Sequence, residues 1–209
     1  MLILLVIFVS IFSLIAYWVE MDKLIQFDFH IITFVQSFEN DTLTMIMKFF
    51  SFIGDTVPVI ILTLGAAIFL YKVLHHRREL FLLIGTMIGS TLLNVVLKYL
   101  FQRTRPDINR LVFEEGFSFP SGHSMAAFSL YGIVTFLLWR HLKTRNGRGL
   151  LLTFNSLMIL IIGLSRIYLG VHYPSDVIGA YAASGFWLFT IVWYYQWLQE
   201  RRLQSAEAT

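Results

Sequence analysis

The chain has 209 residues, of which 57% are hydrophobic and only 14% charged. A soluble domain of this length carries about a quarter charged residues, so the deficit excludes an ordinary water-facing surface and points to lipid as the main solvent. The net charge is a modest +3 and cysteine is absent, which excludes a disulfide framework, thiol chemistry and a thiolate metal site.

A hydrocarbon core about 30 Å thick needs roughly 20 apolar residues per helix. Six such windows follow one another, at residues 1–19, 56–73, 79–100, 122–140, 149–168 and 174–198. Lipid cannot satisfy exposed backbone groups, so each window is expected to be a helix. The first has no basic leader and no small-residue cleavage motif. Met1-Leu2-Ile3-Leu4 opens apolar and Tyr17-Trp18 closes aromatic, which reads as a retained helix rather than a secretory signal. Between the first two windows lies the mixed stretch 20–55. Within it, "KLIQFDFHIITFVQSF" alternates at helical spacing and reads as an interfacial helix with its Phe-rich face (Phe27, Phe29, Phe34, Phe38) in lipid, serving as a lid or as a plain connector. Gly85-x-x-x-Gly89 in the third window suits close helix packing. The expected fold is therefore all-α: a six-helix membrane bundle in one domain, residues 1–209, with a short interfacial segment at 20–55.

Six spans put both termini on one side. The turns at 72–78 and 140–148 and the C-terminal tail carry nine basic residues: Lys72, Arg77, Arg78, Arg140, Lys143, Arg145, Arg148, Arg201 and Arg202. The opposite side has seven, three of which (Lys98, Arg105 and Arg166) are candidates for chemistry. The positive-inside rule then assigns both termini to the cytoplasm. The isoelectric point near 9.2 is explained by these short loops, and a nucleic-acid partner is not implied.

Polar residues gather at the extracytoplasmic ends of three spans. "FPSGHS" (119–124) opens the fourth. Pro120 suits the approach to a helix, Ser121 is a good N-cap, and the amides of Gly122 and His123 are left unbonded, so this end can hold an anion as well as serve as a plain cap. "KYLFQRTRPD" closes the third span with Lys98 and Arg105, basic groups on the side where the rest of the chain avoids them. "LSRIYLGVHYPSD" closes the fifth with Arg166 and opens the sixth after Pro174. His172 and Asp176, four residues apart at that turn, allow the carboxylate to fix the imidazole tautomer and leave the other nitrogen free as base or nucleophile. Three cations, a helix N-terminus, two histidines and a carboxylate make an inventory for phosphoryl transfer without a metal. His30, His75, His76 and His141 lie away from this set and are read as surface residues. Arg103 and Arg110 are read as attracting anions without a catalytic part.

Lys98-x6-Arg105-Pro106, Pro120-Ser121-Gly122-His123 and Ser165-Arg166-x5-His172-x3-Asp176 together resemble the three-part signature of the type 2 phosphatidic acid phosphatase superfamily. The resemblance implies an integral-membrane lipid phosphatase of the bacterial cell membrane, needing no cofactor or metal and working through a phosphohistidine on the extracytoplasmic face. It assigns His172 as nucleophile, Asp176 as its orienting partner and His123 as the acid for the leaving group. Lys98, Arg105, Ser121, Gly122 and Arg166 would bind the phosphate. The substrate would be a lipid phosphate or diphosphate, either phosphatidylglycerophosphate or undecaprenyl diphosphate. Gly122, where dedicated undecaprenyl enzymes often carry Asp, leans toward the glycerolipid. Two other functions keep the same inventory: transfer of the phosphoryl group to another lipid, and transport of lipid or phosphate. The clustering of charge at one surface and the lack of an internal repeat weigh against transport.

Overall fold

Eight helices make up the computed structural model, which describes residues 1–75 and 77–207. They are α1 (Leu2–Glu20), α2 (Ile25–Gln36), α3 (Asp41–Ile53), α4 (Thr56–Lys72), α5 (Arg77–Phe101), α6 (Gly122–Trp139), α7 (Arg145–Tyr168) and α8 (Pro174–Glu207). No strand occurs among the described residues. His76 and the side chains of Arg77, Arg78 and Arg202, all used in the sequence reading, lie outside what is described.

Five helices (α1, α5, α6, α7 and α8) are each long and apolar enough to cross a membrane. The sixth span differs from expectation. With 17 residues, α4 is short, and it passes only together with α3, from which it bends by 56°. The interval 20–55 therefore holds two helices rather than one interfacial helix. Asp41, Lys48 and several hydroxyls dilute the hydropathy of α3, which hides it from an apolar-window search. Its start is nonetheless well specified, since the Asn40 side chain accepts the Leu43 amide at 2.9 Å. The Phe-rich face of α2 also splits. Phe27 and Phe34 point outward, as does Phe38 beyond the helix, but Phe29 turns in against Tyr173 with ring centroids 6.1 Å apart.

Large apolar side chains cover the outside of the bundle, among them Ile3, Phe81 and Leu150 at 76%, 80% and 73% exposure. Patches of this extent are unsustainable in water, and the chain is a multi-pass membrane protein. Lipid tails are as apolar as leucine, so burying leucine does little to join the helices; close approach and interhelical hydrogen bonds do that instead. Gly89 of α5 supplies the approach: a Cβ there would lie 1.9 Å from the Trp187 ring of α8. The Trp187 indole N–H in turn donates to the Thr86 carbonyl at 3.0 Å. Ser129 donates to Ser90 at 2.8 Å and Asn155 to Thr135 at 2.6 Å, tying α6 to α5 and α7. Central in the bundle, α6 packs against α4, α5, α7 and α8.

Antiparallel connectivity brings six helix termini to one end of the bundle: the C-terminal ends of α1, α5 and α7 and the N-terminal ends of α4, α6 and α8. Residues 102–121 cross that end without regular structure. A stretch this long in a packed protein is usually functional.

Candidate active site

The turn from α7 to α8 carries the most buried chemistry. Gly170 has φ of +71°, a left-handed conformation open to glycine and strained for most other residues. It lets the Val171 amide reach the Arg166 carbonyl at 3.2 Å and the Gly170 amide reach that of Ile167 at 3.0 Å, the paired bonds of a Schellman stop. The chain then reverses at once into α8, with Pro174 in the first helical position, where no N–H is needed. His172, in this reversal, is fully buried.

Asp176 organises the histidine. Its Oδ2 accepts the Tyr173 amide at 2.8 Å, lies 3.4 Å from His172 Nδ1, and accepts the Ser118 hydroxyl; Oδ1 accepts from Arg103 at 2.6 Å. The bond back to Tyr173 is half of a capping box, so one carboxylate both starts α8 and orients the imidazole. Nε2 of His172 faces Arg105 Nη1 at 3.1 Å. Since guanidinium only donates, Nε2 is the acceptor and Nδ1 carries the proton. Burial, followed by the charges of Arg166, Arg105 and Lys98, holds the imidazole well below its usual range. It is neutral at physiological pH, the state a nucleophile requires.

Arg103 does not sit free to attract anions. It is clamped between Asp176 and, at 2.8 Å, Asp28 of α2, and it stacks over the Tyr173 ring at 4.0 Å. Asp28, also fully buried, accepts both the amide and the hydroxyl of Ser175, at 2.9 and 2.6 Å. An aspartate from α2 thus caps α8 and holds the arginine that holds Asp176.

The predicted cations converge. Arg105 binds the carbonyls of Gly116, Glu115 and Val171 at 2.9–3.1 Å, stapling the 102–121 segment to the α7–α8 turn. Arg166 is buried, with one terminal nitrogen on Ser51 of α3 and its Nε without a hydrogen-bond partner. The charges of Lys98, Arg105 and Arg166 all act on His172. Ser121 caps α6, accepting the Ser124 hydroxyl at 3.0 Å, which leaves its own proton available. Gly122 packs closely on α5: a Cβ there would meet Asn94 Oδ1 at 3.2 Å, while Asn94 donates to the Pro120 carbonyl at 3.1 Å.

Glu114, Asp55 and Ser118 were not anticipated. The Glu114 carboxylate lies 3.5 Å from Arg105, pairs with Arg166, and stands 3.9 Å from His123 Nδ1. A carboxylate on two guanidinium groups marks a position suited to an anion. Nε2 of His123 meets Asp55 at 2.6 Å. A cavity of about 290 Å³ opens here, lined by His123, Arg166, Glu114, Asp55, Ser51 and Lys48. His172 does not line it; Arg105 and Glu114 link the two. Among the described residues no group of three His, Asp or Glu side chains is spaced to hold a metal ion, and the donors present suit an anion.

The profile of the PAP2 superfamily matches residues 79–201, the stretch that contains every one of the predicted motif residues. The chain belongs to the PAP2 superfamily. Among PAP2 proteins it is 37% identical over 137 residues to phosphatidylglycerophosphatase B of Bacillus subtilis, a match covering 65% of each chain. The matched stretch thus falls just short of two thirds of that relative's length. It is 25% identical over 138 residues, 64% of this chain and 65% of the other, to YbjG of Escherichia coli, which carries a provisional undecaprenyl-diphosphatase name. The crystal structure of a transmembrane PAP2-type phosphatidylglycerolphosphate phosphatase from Bacillus subtilis superposes with a TM-score of 0.80 at 27% identity. It covers 92% of this chain and 96% of that one. The fold is shared, with five candidate spans in this chain and a sixth if α3 and α4 count as one bent span.

Proposed function

We propose that the whole chain, residues 1–209, is a membrane lipid phosphatase that hydrolyses a lipid phosphomonoester or diphosphate through a phosphohistidine. The observation carrying this reading is the buried, neutral His172, held by Asp176 through one nitrogen while the other faces Arg105. Phosphoryl transfer asks little covalent work of a protein beyond positioning and charge neutralisation, and Lys98, Arg105, Arg166, the Ser121 hydroxyl and the Gly122 and His123 amides supply both. Substrate phosphate takes the position of the Glu114 carboxylate. Nε2 of His172 then attacks phosphorus, the bond to the leaving oxygen breaks, and His123 protonates that oxygen. In the second half His123 takes a proton from water as the water oxygen bonds phosphorus and the P–N bond breaks, releasing phosphate.

The relatives named for phosphatidylglycerophosphate and undecaprenyl diphosphate suggest those two lipids as substrates, and both carry a second phosphate. Lys48, on the cavity wall beside His123 and Arg166, is suitably charged for it. The excess of basic residues at the opposite end of the bundle supports cytoplasmic termini and a site on the outer leaflet of the cell membrane. The test is phosphate release from purified phosphatidylglycerophosphate, undecaprenyl diphosphate and phosphatidic acid in EDTA. Activity on at least one lipid, lost in His172→Ala, is expected. Loss of activity in EDTA with rescue by magnesium would overturn the metal-independent mechanism.

A further inference from the structure

Asp55 stands where the chain breaks between α3 and α4, as the N-cap residue of α4. Aspartate at that position ordinarily turns its carboxylate back onto the amides of its own helix. Here it makes no such bond. Its Oδ1 instead lies 2.6 Å from Nε2 of His123, a residue 68 positions away on α6. The side chain is 49% exposed, so water competes for it, yet the carboxylate is spent on the imidazole rather than on the helix.

The surroundings are built for the contact. Gly54 precedes Asp55, and a Cβ there would lie 2.8 Å from Ile162 and 3.2 Å from His123 Cδ2. The glycine makes room for the ring. With Nε2 on Asp55, the opposite nitrogen, Nδ1, points toward the Glu114 carboxylate, which itself rests on Arg105 and Arg166. Nδ1 therefore faces the anion position.

We propose that Asp55 is the positioning residue for His123, forming a second histidine–carboxylate pair across the phosphoryl site from His172 and Asp176. The proposal rests on the reading of His123 as the leaving-group acid. In the first half-reaction the Nδ1 proton passes to the leaving oxygen while the P–O bond breaks, and Nε2–H stays on Asp55. In the second, the neutral Nδ1 takes a proton from the attacking water, and the carboxylate stabilises the imidazolium that results. Without Asp55 the ring is free to turn, and the charge on it is uncompensated. The bend in the α3–α4 span thus has a chemical purpose: it delivers a carboxylate to the site from a helix that contributes nothing to the three sequence motifs.

The experiment compares two substrates, a lipid alkyl phosphate and 4-nitrophenyl phosphate, whose leaving group needs little protonation. Asp55→Ala is expected to lower kcat/KM, which reports the steps up to departure of the leaving group, for the lipid by roughly 10–100-fold, short of the full value of a general acid, and to change kcat/KM for the aryl ester less than about threefold. Asp55→Asn, which keeps a hydrogen-bond acceptor without the charge, is expected to fall between. His123→Ala is expected to show the same substrate pattern more strongly, and adding Asp55→Ala to it to cost nothing further, as for residues acting as one unit. Activity on the aryl ester certifies that each variant is folded. Equal losses in kcat/KM on both substrates for Asp55→Ala, or losses that multiply with those of His123→Ala, would overturn the inference alone. His123→Ala indifferent to the leaving group would overturn the acid assignment beneath it.

Discussion

His172 illustrates how much of this site is set by a single side chain's surroundings. A histidine in water titrates near 6.5. Here burial and the three cations Arg166, Arg105 and Lys98 disfavour its charged form, with His123 adding to them and Asp176 opposing them from 3.4 Å. The sign follows directly. The folded-state pKa lies below the unfolded one, so the neutral ring contributes stability above pH 6.5, and that contribution is lost as pH falls toward the folded value. On the proposed mechanism activity follows the same direction, because a nucleophilic ring must be neutral. Replacing Lys98 by Met removes one like charge and lets the pKa rise toward its ordinary value. The acid limb of kcat/KM should therefore move to higher pH in Lys98→Met relative to wild type on the same substrate, for which substrate ionisation cancels. An unmoved limb would place Lys98 outside the field of His172.

At the level of elements, α2 and α3 do the work that the motifs do not record. The buried face of α2 carries Asp28 beside Ile32. The carboxylate's contacts to Arg103 and Ser175 join α2 to the start of α8. Breaking a buried pair by removing one partner costs about 3–5 kcal/mol, since the other charge is left uncompensated. Asp28→Ala should lower the melting temperature in detergent by several degrees and reduce turnover on lipid and aryl substrates alike, because Asp176 loses its brace. A variant with unchanged melting temperature would mean that Arg103 is held well enough by Asp176 and the Tyr173 ring. In the same way α3 earns its place through Ser51 on Arg166 and through the break that positions Asp55.

The whole molecule is a bundle whose opposite ends differ in character. One end gathers six helix termini, the buried cations and the cavity. The other carries the basic turns, with Arg140 paired to Glu79 and Tyr195 donating to Glu79 at 3.2 Å. The basic excess predicts orientation. A reporter fused after Thr209 should be cytoplasmic, and one inserted near Glu114 should be external, as read by alkaline phosphatase and fluorescent-protein fusions. Glu114 found inside would put the site on the inner leaflet and exclude an outer-leaflet substrate pool.

What the sequence determined by itself was whatever depends on local composition. Spans are legible because a membrane demands long apolar runs and every backbone bond within the segment, and each of the six windows matches one helix, five of them long enough to span alone. The motif residues Lys98, Arg105, Ser121, His123, Arg166, His172 and Asp176 were legible because buried ionisable groups are costly in lipid and stand out in an apolar chain. Their convergence followed from the parity of the spans. Only the tertiary structure decided which carboxylate meets which cation. Asp28, Asp55 and Ser118 lie 54–147 residues from their histidine, arginine or serine partners, Glu114 pairs with Arg166 at the far end of another helix, and nothing local distinguishes them from a first-turn acid, a helix cap or a loop residue. Arg103 was misread for the same reason: an arginine in a loop looks available until two buried carboxylates from distant helices are seen to enclose it. Helix α3 escaped because its polar residues dilute hydropathy, and its role as half of a bent span exists only once α4 is seen to be too short alone. Pairing between distant charges is a property of the folded bundle, since the Coulomb energy that selects partners depends on separation and burial in space, neither of which the order of residues along the chain contains.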